Sequence, residues 1–133
     1  MDSQALAFTL GRITLGLNFF AHGLVRLPKL HQFSTWMVGE LQNTLIGNEH
    51  LVYGFAFGLV IVELIVGITL LIGWKTKASL ILTSFIMMSL IFGACMQEAW
   101  PRVGVQMIYV IFIFLLTYFY QIVPYSLDHH FKK

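Results

Sequence analysis

Charged residues are scarce in this sequence: Lys, Arg, Asp and Glu make up 11% of its 133 residues, against roughly a quarter in soluble domains. Since 58% of the residues are hydrophobic, a water-soluble globule is excluded and the chain reads as a membrane protein. The net charge of +2 is small and scattered, which removes nucleic acid from the partners. Cysteine is nearly absent as well. The single Cys95 excludes an internal disulfide, a CxxC exchange pair and a cysteine-rich zinc site. No glycine-rich dinucleotide fingerprint and no Walker sequence is present, so no motif holds a flavin, nicotinamide or nucleotide. Basic residues are missing from Met1 to Gln4, unlike a cleavable signal, and the first apolar run is expected to remain as an anchor.

What is present is four long apolar runs, at about 5–27, 51–73, 78–96 and 103–123, each near the ~20 residues that cross a bilayer. They predict an all-α integral membrane protein, one domain over 1–133, built as a four-helix transmembrane bundle. Pro28 and Pro124 end the first and last runs by denying the next turn a donor. Between the first two runs, Leu30, Phe33, Met37, Leu41 and Leu45 recur at helical spacing opposite Gln32, Gln42 and Asn43. This predicts an amphipathic interfacial helix at about 30–46, either a lid over the end of the first span or a connector lying on the surface. A short polar tail occupies 124–133. Trp36, Trp74 and Trp100 stand at span ends, as in an aromatic belt. Lys75, Lys77, Lys132 and Lys133 on one side, against Arg26, Lys29 and Arg102 on the other, predict that both termini are cytoplasmic.

The first span carries ionisable groups where a membrane helix normally has none. At about 100° per residue, Arg12, Gly16, Phe19, His22, Gly23 and Arg26 share one face. The second span holds one charge, Glu63. If the spans run antiparallel, Arg12 and Glu63 lie about 10 and 15 Å from the same surface, and an ion pair between them is expected, since a lone charge near a helix centre costs about 2.5–3.5 kcal/mol. That pair either fixes helix register or forms the floor of a cavity whose mouth holds His22 and Arg26. His22 is either a packing residue or a proton-exchanging group, and Arg26 suits an anionic or carbonyl oxygen. Gly54 and Gly58 form a GxxxG pair on another face from Glu63, expected to pack on a neighbouring helix. No metal site is expected: Met87 and Met88 read as apolar filler, and His129 and His130 as a solvated pair in a basic tail. Haem is not expected, because His22 is the only histidine within a span.

These residues resemble the DoxX family of small membrane proteins, related to the DoxD subunit of thiosulfate:quinone oxidoreductase. Arg12, Gly16, Phe19, His22-Gly23 and Arg26 are similar to the family's opening positions; Glu63 with Gly67, followed by Gly73 and Thr76, resembles its glutamate-glycine helix and the turn after it. Ser126-Leu127-Asp128 is similar to its serine-leucine-aspartate signature. Arg26 departs from the family's frequent lysine with its charge kept, and Val123-Pro124-Tyr125 replaces a glycine-rich lead into the last motif.

The resemblance implies a bundle in the bacterial-type cytoplasmic (inner) membrane and a link to quinone-dependent redox reactions. The expected function is a small subunit of a quinone-linked redox assembly, with quinone as the only cofactor, enzymatic only as part of a membrane oxidoreductase. His22, Arg26 and Phe19 are the candidate ligand-binding residues; Gly16, Gly23, Gly54, Gly58 and Gly67 are the candidate packing residues. Expected partners are the lipid bilayer, a protein of the same membrane complex, and quinone. The competing expectation is a structural accessory subunit that packs on a larger complex without a redox role.

Overall fold

Helices take up nearly all of the chain. The computed structural model describes residues 2–121 and 123–131; Lys132 and Lys133, counted above for orientation, lie outside the described residues. Helix α1 spans Ser3–Arg26, a 3-10 turn follows at Leu27–Lys29, and α2 spans Leu30–Leu41. Three further long helices follow, α3 (Glu49–Ile72), α4 (Thr76–Met96) and α5 (Trp100–Tyr118), then a single turn, α6 (Leu127–His130).

Local chemistry sets most of these boundaries. The Asp2 carboxylate accepts from the Ala5 N–H at 2.7 Å and the Asn48 amide oxygen from the Leu51 N–H at 3.1 Å, each satisfying an orphan donor of a first turn. Pro28 falls in the 3-10 turn, and Pro101 in the first turn of α5, where its missing donor is harmless. Gly73, at φ 69°, ends α3 in the left-handed conformation that glycine adopts without cost. Two expected boundaries shift. The interfacial helix stops at Leu41 rather than 46, because the Thr44 hydroxyl and N–H both turn back to the Leu41 carbonyl, and Leu45 is left exposed. The last span stops at Tyr118 rather than 123: the chain turns across the bundle end, where Tyr120 meets Phe8 edge-on and Val123 is buried.

Helices α3, α4 and α5 are long and apolar enough to cross a membrane. Helix α1 equals α3 in length, at 24 residues, but its polar residues make it less apolar than the other three. Its Arg12 is buried, and Leu10, Leu17, Leu24 and Val25 face outward.

The helices pack as two pairs. Helix α1 lies along α3 and α4 along α5; α3 touches α4 more lightly, α1 barely meets α5, and α2 lies on α3. Glycine explains why α1 and α3 come so close. A Cβ on Gly16 would stand 2.9 Å from the Leu71 nitrogen, one on Gly23 would stand 2.9 Å from the Leu64 nitrogen, and one on Gly67 would strike the Phe20 backbone. These contacts run in opposite directions along the two chains and fix one antiparallel register. Gly54 and Gly58 behave differently from the expectation: no atom lies within 4 Å of where their Cβ would be. The seam uses the other face of α3, so the GxxxG pair packs on no helix among the described residues.

Candidate functional site

The register imposed by the glycines brings Arg26, not Arg12, to Glu63. Arg26 Nη1 donates to both carboxylate oxygens of Glu63 at 2.8 Å, and Glu63 is only 3% exposed. The expected Arg12–Glu63 pair does not form. Gly23 lies against Leu64, so Arg12 is about 12 residues, or ~18 Å, further along the seam. The depth arithmetic failed because it measured both residues from one common surface, whereas α1 extends past the C-terminal end of α3.

Arg12 instead serves that end. Its Nη1 donates to the carbonyls of Leu70 and, at 3.0 Å, Leu71, and Nη2 donates to the Tyr125 carbonyl at 3.3 Å. The last carbonyls of a helix have no internal partner and carry partial negative charge, so a buried guanidinium fits there. Asp128 completes the closure: its two carboxylate oxygens accept from the N–H groups of Lys75 and Thr76 at 2.6 and 2.9 Å, while its own N–H donates to the Gly73 carbonyl at 2.9 Å. The start of α4, which has no capping side chain of its own, is capped from the tail.

At the opposite end, where the two helix pairs separate beneath α2, lies a cavity of about 330 Å³. Small-molecule pockets run from about 300 to 1,000 Å³. Its wall includes the Arg26–Glu63 pair, Phe19 and His22 on one side, and Gln106 and Tyr109 of α5 on the other. The Arg26 guanidinium lies 4.5 Å above the Phe33 ring of α2, which holds it over the cavity. His22 Nδ1 is 2.9 Å from the Asn18 carbonyl, and the Asn18 amide donates to the Tyr109 hydroxyl at 3.3 Å, tying α1 to α5. Gln106 Oε1 is buried with no partner. At the rim, Arg102 reaches from α5 to Glu40 of α2 at 3.6 Å, donates to Gln97 at 2.9 Å and stands 5.9 Å from the Trp36 ring.

Of the residues singled out in sequence, the fold brings Phe19, His22, Arg26 and Glu63 to one cavity, and spends Gly16, Gly23 and Gly67 on the helix seam that shapes it. Arg12 stands apart from both. Sequence reasoning missed Asn18, Gln106, Tyr109 and the Glu40–Arg102 pair as parts of the site. Gln106 and Tyr109 did carry a signal, being polar residues three apart within an apolar helix, hence on one face. Among the described residues, no three His, Cys, Asp or Glu side chains cluster as metal ligands.

The family model named DoxX matches residues 7–95. The chain belongs to the DoxX family. This DoxX match runs from Ala7 within α1 to Cys95 within α4, and holds Arg12, His22, Arg26 and Glu63. It stops short of the whole-chain resemblance read from sequence: α5, with Gln106 and Tyr109, and the Ser126–Asp128 segment that closes the far end lie beyond it. No curated protein and no solved structure matches the chain.

Proposed function

We propose that this DoxX protein is the small membrane subunit of a quinone-linked redox assembly, binding the ring of an uncharged quinone in the cavity beneath α2 and supplying no electron carrier of its own. The observation that carries the reading is the charge balance of the cavity. Its wall holds two cations and two anions, Arg26 with Glu63 and Arg102 with Glu40, each already paired. A charged ligand would leave one buried charge uncompensated, which costs far more than inserting a neutral ring.

A quinone ring fits the remaining chemistry. Among the described residues Arg26 Nε and Nη2 make no hydrogen bond, so a ring oxygen has donors beside the ion pair, while Phe33, Phe55 and Leu90 offer apolar contact. A partner protein supplies the electrons in this reading. In this reading α1 crosses the inner membrane with α3, α4 and α5, its apolar side facing lipid, and both termini lie in the cytoplasm.

The test is gentle-detergent purification with extraction of bound quinone. Near-stoichiometric quinone is expected with the unaltered protein, and the His22→Ala/Arg26→Ala double variant should lose it, as should His22→Ala/Arg26→Leu/Glu63→Leu, which strands no carboxylate and keeps the fold. Ordinary quinone content in those variants rules the reading out.

A second reading is favoured by the uncovered Gly54 and Gly58 on α3, small residues that permit close approach of another helix. Here the protein is an accessory subunit that packs on a larger membrane complex. Gly54→Leu should then detach it from that complex, and His22→Ala should leave both assembly and activity unchanged.

A further inference from the structure

We propose that the ligand of the cavity is an isoprenoid quinone whose tail leaves the ring site sideways, through a groove between α1 and α5, into the hydrocarbon core of the membrane. The proposal rests on the quinone reading above and adds the tail and its route. Its basis is a second hollow that meets the first.

Thr14, Leu15 and Asn18 of α1 and Ile108, Tyr109 and Phe112 of α5 line a groove of about 200 Å³. Asn18 and Tyr109 also line the ring cavity, so the two spaces meet at the hydrogen bond that joins these side chains. The groove exists because α1 and α5 belong to different helix pairs and barely meet. Toward the sealed end the gap closes: a Cβ on Gly11 would stand 2.9 Å from the Leu116 side chain, and its absence lets α5 approach. Outward the groove is open, for Thr14, Ile108 and Phe112 are exposed.

Height and lining decide what fits there. Thr14 and Tyr109 stand near the middle of Ser3–Arg26 and of Trp100–Tyr118, so in a bundle that spans the bilayer the opening faces acyl chains rather than water. Leu15, Ile108 and Phe112 are apolar, and Thr14 turns its hydroxyl back to the Leu10 carbonyl at 2.8 Å. The volume falls below the roughly 300 Å³ at which pockets for whole small molecules begin, and suits a stretch of chain. The other route passes the rim beneath α2, where Glu40 and Arg102 are exposed and paired. A prenyl tail laid there gives up lipid for water and charge, a loss that grows with each methylene. Through the groove it exchanges lipid for side chains of equal apolarity.

The test uses the full-length protein in lipid nanodiscs and a quinone whose prenyl tail carries a diazirine on its second isoprene unit. After illumination, labelled residues are mapped by mass spectrometry, with and without excess tailless quinone as competitor for the ring site. The expected label falls on Thr14, Ile108 or Phe112 and is lost with the competitor. Ile108→Trp, which fills the groove from an exposed position, should weaken binding of the tailed quinone by about tenfold and leave the tailless one unchanged. Ile111→Trp, at an exposed position outside the groove, should change neither. Competitor-sensitive label at Trp36, Glu40 or Arg102 instead sends the tail past the rim and overturns the groove while the ring site stands. Groove label that persists although the tailless quinone binds belongs to an ordinary acyl chain, and overturns the tail route as well. If neither the tailed nor the tailless quinone binds, the quinone reading falls and the proposal with it.

Discussion

At the scale of single residues, the buried charges do two separate jobs. Arg26 and Glu63 form a pair inside the apolar bundle, and removing one member strands the other. Arg26→Leu leaves Glu63 at 3% exposure without its cation, a loss of about 3–5 kcal/mol that should appear as a large fall in the thermal midpoint in detergent. The double change Arg26→Leu/Glu63→Leu should recover most of that loss, because apolar replacement of a buried pair is often neutral; a double variant as unstable as the single would contradict a pairwise account. Arg12 does a different job, binding carbonyls of α3 and of the tail. Scarcity of charge in an apolar chain made it legible in sequence that Arg12 and Glu63 are buried, whereas Arg26, read as standing at the mouth of a cavity, is half-buried and pairs with Glu63. Which cation meets Glu63 was not legible, since charge alone carries no information on helix register.

At the scale of elements, that register comes from three glycines. Gly67→Ala would push its methyl into the Phe20 backbone, which cannot give way as a side chain can, and α1 and α3 must separate. Gly54→Ala meets nothing and replaces a poor helix former with the best one, a gain of up to about 1 kcal/mol. The two variants should therefore shift the thermal midpoint in opposite directions, and equal behaviour would mean that the seam is not glycine-limited. Helix α2 rests on α3 and is tied by side-chain charge to the other helix pair through Glu40 and Arg102. Glu40→Ala should speed maleimide labelling of a Leu90→Cys cavity reporter, in a Cys95→Ser background, by up to about fivefold, the worth of an exposed ion pair. The reversed pair Glu40→Arg/Arg102→Glu should restore slow labelling. The amphipathic pattern revealed in sequence a helix between the first two spans, either a lid or a surface connector, but not that it roofs a cavity, because the opposite wall belongs to helices far away in sequence.

At the scale of the whole molecule, the ends of the bundle are built for different purposes. One is sealed: Asp128 caps α4 and Arg12 joins the tail to α3, so Tyr125 and Asp128 bind α1, α3 and α4 together. Asp128→Ala should cost about 0.5–2 kcal/mol, the usual worth of a helix cap, and should raise protease cleavage near Tyr125; unchanged stability would mean that the tail is ornamental to the closure. The other end is open and holds the cavity. By itself the sequence determined a small all-α membrane protein of the DoxX family with Arg12 and Glu63 turned inward, because hydropathy, proline positions and helical periodicity are local properties of the chain. Only the tertiary structure decided that Arg26 is the partner of Glu63, that Arg12 and Asp128 close one end, and that Gln106 and Tyr109 complete the other. Each of those facts depends on the axial offset between helices distant in the chain, which the contact of backbones at Gly16, Gly23 and Gly67 sets to within a single residue.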